Sequence, residues 1–422
     1  MCPLPIVYRP RIADQELGEA LEAAGAVLIE GPRGCGKTAT ARHAAASEVA
    51  LDTDIGARKA GLLDASVLLD GDRPRLLDEW QLVPEVWNQV RRAVDDSGGQ
   101  PGSFILTGSA VPPDDRTRHS GAGRILRLRM RPMSLRESGH STGDISLALL
   151  MDGQPARAPD PGLTIRDLAR LVSVGGWPAL QDGSTDRALR LVRSYLADTA
   201  RLDLPRLDGV RRDPIRVMRV IESFAGYTAS TASARAIAAD VGEADAPMKA
   251  HTVLDYLDAL ARVFVVEDLP QWGPRLRSRA RLRGAPKRHF VDPSIAVAAL
   301  RAGPERLLRE VDTLGLLFET LVIRDLRVYA QAMDGVVRHY RDSTGLEADA
   351  IVETWDGRWG AFEVKLGLAA IDDAASSLLR LAERVDDSRH GPPAVLGVIT
   401  GWGYGYRRPD GVSVIPIGTL GP

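Results

Sequence analysis

Residues 27–38 read VLIEGPRGCGKT, where an apolar run meets the spacing Gly31, four residues, Gly36, Lys37, Thr38. This pattern demands a strand, a tight loop and a helix in immediate succession. A backbone can aim consecutive N–H groups at a phosphate only where side chains do not obstruct, so Gly31, Gly34 and Gly36 supply conformational freedom and Lys37 supplies charge. Pro32, Arg33, Cys35 and Ala39 complete the loop and the first turn of the helix-like TATARHAAASEVA that follows. The spacing predicts a site for ATP, with Thr38 as a ligand to Mg²⁺ and the helix N-terminus facing the phosphates.

The second half of such a site follows at a suitable distance. Residues 75–81, RLLDEWQ, form a buried strand that ends on adjacent carboxylates. These have separate tasks: Asp78 holds the metal through water, and Glu79 polarises the attacking water. A third apolar strand, 103–106, ends on Thr107-Gly108-Ser109. Ligands of parallel sheets sit beyond the carboxyl ends of the strands, which makes Thr107 the candidate sensor and Ser109 the second choice. Residues 121–124, GAGR, then lead into the alternating ILRLRMRPMSLRE, where Arg124, Arg127, Arg129 and Arg131 are candidates for a charge-stabilising finger. Arg124 is the preferred one.

Composition narrows the class. A chain of 422 residues with 44% apolar content has room for about three domains. Cys2 and Cys35 are its only cysteines, which excludes a disulfide framework and a cysteine zinc site. No segment reaches the roughly 18 uninterrupted apolar residues of a membrane span, and the N-terminus carries no secretory signal, so the expectation is a cytoplasmic protein with no membrane partner. The formal charge of −2 says nothing for a strongly basic nucleic-acid binder, although local basic patches can coexist with a neutral total.

The balance of basic residues is more informative. Of 54 basic residues only five are lysine, namely Lys37, Lys59, Lys249, Lys287 and Lys365. A lysine kept among arginines marks a place where a compact charge on a flexible stem is needed. Lys365 follows Glu363 at strand spacing in AFEVK, so both project from one face. Upstream, Asp349 enters another apolar strand, and Asp356-Gly357 between them marks a hairpin. Parity decides the register: a two-residue loop puts Asp349 on the wrong face, so a three- or five-residue loop or a bulge is expected. On the right face, Asp349 and Glu363 can chelate one Mg²⁺ while Lys365 steadies water or a scissile phosphate.

Between these ends lies a helical region. Residues 152–163, rich in Pro, Gly and Asp, read as a linker, and the apolar spacing after Asp186 reads as a buried helix face. Residues 231–269 read as helix, turn, longer helix and strand, the pattern of a winged helix, with Lys249, His251 and Thr252 near the start of the second helix. Asp245, Asp255 and Asp258 oppose that basic character, which favours docking over base reading. Arg275, Arg277, Arg279, Arg281, Arg283, Lys287 and Arg288 form a denser run, read either as a phosphate-tracking surface or as a solvated wing.

The order of GPRGCGKT, RLLDEWQ, FILTGSA, GAGR, RPMSLRE, GGWPAL, YLADTARLDL, HYRDSTGLEAD and AFEVKLG resembles that of prokaryotic AAA-type P-loop ATPases with a C-terminal domain of unknown function related to PD-(D/E)xK nucleases. The resemblance implies an α/β fold in three parts: an AAA-type parallel-sheet domain over 1–150, a helical and winged-helix domain over 164–295, and a nuclease-like α/β domain over 305–422. It implies ATP and Mg²⁺ as cofactors, and it places Glu319, on a helix-like stretch, beside Asp349 and Glu363 as a third acidic ligand. The expected function is ATP hydrolysis coupled to action on nucleic acid, DNA being the candidate. The alternative is a nucleotide-dependent switch that binds a protein partner, or a second copy of itself, through a catalytically silent C-terminal domain. A lysine paired internally with the acids would favour the switch.

Overall fold

The computed structural model describes residues 8–109, 121–210, 212–242, 248–273, 284–385 and 390–422. The chain divides into two compact units. The first comprises Met1–Pro132, Asp203–Arg211 and Arg262–Phe264, and the second Met133–Leu202, Arg212–Ala261 and Val265–Pro422.

The first unit is built on five parallel strands: β1 (Ala26–Glu30), β2 (Ser47–Ala50), β3 (Arg75–Asp78), β4 (Phe104–Gly108) and β5 (Ile125–Arg129). Their spatial order is β2-β3-β4-β1-β5. Strand β4 thus lies between the strand that leads into the glycine loop and the strand that ends on Asp78. Burial follows position: β1 and β4 are apolar on both faces, whereas β5, at the edge, exposes Leu126 and Arg127. The helix Val86–Asp96 buries Val86, Trp87, Val90 and Val94 along one face, and Trp87 packs against Trp80 with ring centroids 5.2 Å apart.

In the second unit a six-stranded mixed sheet runs in the order β11-β12-β10-β9-β8-β7. Its strands are β7 (Val336–Arg341), β8 (Glu347–Glu353), β9 (Trp359–Lys365), β10 (Val395–Thr400), β11 (Tyr406–Arg407) and β12 (Ser413–Pro416). A separate pair joins β6 (Ile145–Ser146) in parallel to β13 (Leu420–Gly421). The helix Ile371–Arg384 covers one face of the large sheet with Ala374, Ala375, Leu378 and Leu381, beside the stacked rings of Trp272 and Trp359 at 5.1 Å. The helix Val311–Gln331 is buried along most of its length, including Glu319, Arg324, Asp325 and Arg327.

Strands β8 and β9 are joined by the five residues 354–358, and Gly357 takes the positive φ of 88° that this turn requires. The antiparallel register runs from Glu353↔Trp359 to Ala350↔Phe362, and one step further sets Asp349 opposite Glu363. The parity argument therefore holds for the face, although Asp349 lies across from Glu363 and not from Lys365.

Helices Ile165–Val174, Thr185–Asp198, Pro214–Gly226, Ala234–Val241 and Ala250–Arg262 occupy the intervening region. The first is started by a capping box in which Thr164 and Asp167 satisfy each other's backbone N–H groups. The pair Ala234–Val241 and Ala250–Arg262 matches the two helices expected there, and Lys249 precedes the second. Cys2, Asp245 and Arg275, Arg277, Arg279, Arg281 and Arg283 lie outside the described residues. Lys287 and Arg288 depart from the solvated wing: Lys287 is buried, and Arg288 pairs with Asp268. Reciprocal backbone bonds between Leu269 and Lys287 (2.8 and 3.0 Å) draw this segment inward.

A buried ionic network ties distant segments of this unit together. Arg324 donates to Asp292 (2.8 Å) and to Asp325 (2.9 and 2.7 Å). Asp292 also accepts from the Gly176 N–H (2.9 Å), and Asp325 from the Leu135 N–H (2.9 Å). A Cβ at Gly176 would come within 2.1 Å of the Met133 carbonyl, which explains the glycine at that position.

Candidate functional site

The glycine loop sits at the carboxyl end of β1. Gly34 (φ 81°) and Gly36 (φ 109°) adopt left-handed backbone, and Gly36 precedes the helix Lys37–Ala44. At Gly31 the limit is space, because a Cβ there would stand 2.2 Å from the Met130 carbonyl oxygen of the adjoining chain. Lys37 is buried, and its Nζ donates to the carbonyls of Gly31 (2.9 Å) and Pro32 (3.0 Å). Its ammonium thus lies folded over the mouth of its own loop. Arg33, Gly34 and Ala39 are exposed, while Cys35 packs inward with no solvent contact.

Beside the loop, two hydroxyls meet on one carboxylate. Asp78 Oδ1 accepts from Thr38 Oγ1 at 2.9 Å and also from Thr107 Oγ1. The Thr107 oxygen in turn accepts the Glu79 backbone N–H at 3.2 Å. Glu79 itself has left-handed backbone (φ 54°, ψ 46°), costly for a residue with a Cβ, and its Oε2 accepts from Ser109 Oγ (3.2 Å) and from Gln81 Nε2. Strand ends β1, β3 and β4 therefore bring together Lys37, Thr38, Asp78, Glu79, Thr107 and Ser109. Hard oxygen donors at Thr38 and Asp78, next to unobstructed space at Gly34, fit a Mg²⁺-bound polyphosphate.

Arg124 does not join them. Its carbonyl accepts from the Ala26 N–H, and β5 runs parallel to β1 from Ile125 opposite Ala26. Arg124 is therefore at the amino end of the sheet, a strand length from the loop, where it pairs with Asp95 (2.6 Å). A finger acting on the loop of its own chain is excluded by this register. Arg127 pairs with Glu30 (3.0 Å), and the Arg131 carbonyl takes a bond from Arg11.

Arg11 was not singled out by sequence. Its buried guanidinium donates to the carbonyls of Cys35 (2.7 Å) and Arg131 (2.8 Å), bracing the loop from behind. Tyr8 supports the following helix through Thr40 Oγ1 (2.9 Å) and stacks on His43 with centroids 4.9 Å apart. The only signal was an aromatic and two arginines ahead of the first helix.

In the second unit Glu319, Asp349, Glu363 and Lys365 do converge, together with a fifth member. Lys287 Nζ lies 2.9 Å from Glu319 Oε1 and 2.7 Å from Asp349 Oδ1. Asp349 Oδ2 accepts the Val364 N–H (2.9 Å), and Lys365 Nζ donates to Glu363 Oε2 (2.7 Å). Burial pushes Glu319 up to about 8 and Glu363 up to about 7, with the charge of Asp349 adding to both shifts. Burial alone would raise Asp349 too, but Lys287, Lys365 and the Val364 N–H outweigh it and hold that carboxyl below its ordinary value. The two ammonium groups also offset their own burial and stay protonated.

This arrangement corrects the metal set expected at Glu319, Asp349 and Glu363. Among the described residues no group of three His, Cys, Asp or Glu side chains is disposed to hold a metal ion, and these acids are paired with Lys287 and Lys365. A cleft of about 680 Å³ opens onto Asp349, Glu363 and Lys365, with Arg380 and Arg384 on its rim. Among the described residues no helix is long and apolar enough to cross a membrane.

Three family models match successive stretches of the chain. Residues 23–139 match the family model described as an AAA domain, residues 165–306 the domain of unknown function DUF8612, and residues 314–420 the domain of unknown function DUF4143. Uncharacterized proteins of Mycobacterium bovis and Mycobacterium tuberculosis are each 28% identical over 359 residues, covering 84% of this chain and 73% of theirs. A Walker-type ATPase of Pyrococcus abyssi aligns with 70% of this chain and 99% of its own at 14% identity and a TM-score of 0.43. Residues 23–139 thus match an AAA domain and carry the strand, glycine loop and helix of a phosphate-binding loop.

Proposed function

We propose that this protein binds ATP with Mg²⁺ and hydrolyses it at the loop of the first unit. The observation that carries the reading is the shared carboxylate: Asp78 Oδ1 receives hydroxyls from both Thr38 and Thr107. Thr38 and Asp78 would hold the metal, which neutralises charge on the phosphates. Lys37 has only two loop carbonyls to exchange for phosphate oxygens, a substitution of neutral acceptors by charged ones. Thr107 positions Asp78 and the Glu79 backbone, and the Glu79 carboxylate orients water. Mg²⁺-dependent phosphate release by wild type and Lys37→Ala tests this, and equal turnover by the two would refute it.

For the second unit, sequence favoured a nuclease-like partner to the ATPase, acting on DNA. The closed pairs Lys287–Glu319, Lys287–Asp349 and Lys365–Glu363 support the alternative instead, a nucleotide-dependent switch whose C-terminal domain engages a protein partner without cleaving nucleic acid. Incubation of the wild-type protein with Mg²⁺, ATP and single- or double-stranded DNA separates the two readings. Intact DNA and turnover indifferent to it are expected. Cleavage lost on Lys365→Ala would restore the nuclease.

A further inference from the structure

We propose that Lys287 is a resident cation occupying the place of a divalent ion, so that its side chain, and not a lack of ligands, keeps the acidic cluster of the second unit free of metal. The inference rests on the reading of that unit as catalytically silent at rest, and it is independent of ATP hydrolysis in the first.

Three observations carry it. The ligands themselves are suitable: Glu319 comes from a buried helix and Asp349 and Glu363 from adjacent strands, and the three carboxylates are held by two ammonium groups, Lys287 on Glu319 and Asp349 and Lys365 on Glu363. Access exists, since the cleft reaches Asp349 and Glu363 from solvent. What opposes a metal is the lysine. A divalent ion would need Asp349 Oδ1 at roughly 2.0–2.6 Å, yet Lys287 Nζ already stands 2.7 Å from that atom. Two positive centres cannot share one oxygen at such distances without strong mutual repulsion. Three carboxylates against two ammonium groups leave at most a single negative charge, whereas removal of Lys287 would leave a deficit that a divalent cation can balance.

The test is calorimetric titration of Mn²⁺ alone into the full-length, nucleotide-free protein, comparing wild type, Lys287→Met and the double variant Lys287→Met/Asp349→Asn. One site at least tenfold tighter than any in wild type should appear in Lys287→Met and disappear in the double variant. Equal binding by wild type and Lys287→Met, or a new site that survives the Asp349→Asn change, would overturn the proposal. Lys287→Gln, which keeps hydrogen-bond donors and loses only the charge, guards against misfolding. If both single variants are unfolded in EDTA, refolding by Mn²⁺ supports the proposal and failure to refold counts against it. ATP turnover of the same proteins reports separately on the first unit.

Discussion

Lys287 Nζ stands 2.7 Å from Asp349 Oδ1, a contact that closes a loop of 62 residues and places both charges in a largely dry interior. Removing one member of a buried ion pair leaves the other uncompensated. Lys287→Ala should therefore destabilise the second unit by about 3–5 kcal/mol, read as a lowered denaturation midpoint in metal-free buffer. Lys59→Ala, at an exposed lysine, should stay within about 0.5 kcal/mol of wild type.

Glu79→Gln separates binding from chemistry. The amide keeps the size of the side chain and can still bond to Ser109, but it no longer offers a carboxylate to water. Single-turnover phosphate release should fall by roughly 10²–10⁴-fold, while binding of a fluorescent ATP analogue changes by less than about threefold by the same reasoning. Loss of binding in parallel with hydrolysis would remove Glu79 from its assigned role.

Thr107→Val tests the bridge between two strand ends. It deletes the hydroxyl that donates to Asp78 and accepts from the Glu79 N–H, with little change in volume. The Mg²⁺ concentration for half-maximal turnover should rise and maximal turnover should fall, each on the order of tenfold, as expected for loss of a hydrogen bond to a charged group. Ser109→Ala, which removes a hydroxyl bonded to Glu79, should leave the Mg²⁺ dependence unchanged.

His339 sets an acid limit on stability. Burial, aided by Lys287 and Arg341, lowers its imidazole to about 4 against the Ala285 carbonyl, which favours the charged form. Unfolded chains take up this proton near 6.5 and folded ones only near 4, so the unfolded state holds more protons across that interval. The stabilisation is complete above about 6.5 and drains away as pH falls towards 4, by at most about 3 kcal/mol. Chemical denaturation at pH 7.5, 6 and 4.5 should show a shallower acid slope in His339→Gln than in wild type. Buried His289 is shifted in the same direction and will keep some slope in the variant.

Short-range patterns explain what sequence could reveal. The loop at Gly31–Thr38, the acidic end of β3 and the hydroxyl at the end of β4 each declare themselves within about ten residues, because strand, turn and helix chemistry is local. Parity carried the Asp349 and Glu363 strands to the correct face. Long-range placement was not legible. Lys287 looked like one cation among several in a polar run, and its acidic partners lie 32 and 62 residues away. Arg124 had a plausible motif, but only the register of β5 against β1 reveals that it starts at the wrong end of the sheet. Arg11 braces the loop through backbone carbonyls, which have no side-chain signature at all.

The Arg324 network has a practical corollary for anyone dividing this molecule. Its guanidinium draws in Asp292, and through Asp292 and Asp325 it reaches the backbone at Gly176 and Leu135. A fragment cut near residue 305 would carry Arg324 and Asp325 but leave Asp292, Gly176 and the Lys287 ammonium behind. Such a piece would surrender to water an interior designed to be dry, and its aggregation or silence would say nothing about the intact protein. The boundary between the two stretches of unknown function is a seam in evolutionary bookkeeping that the folded chain has sewn shut.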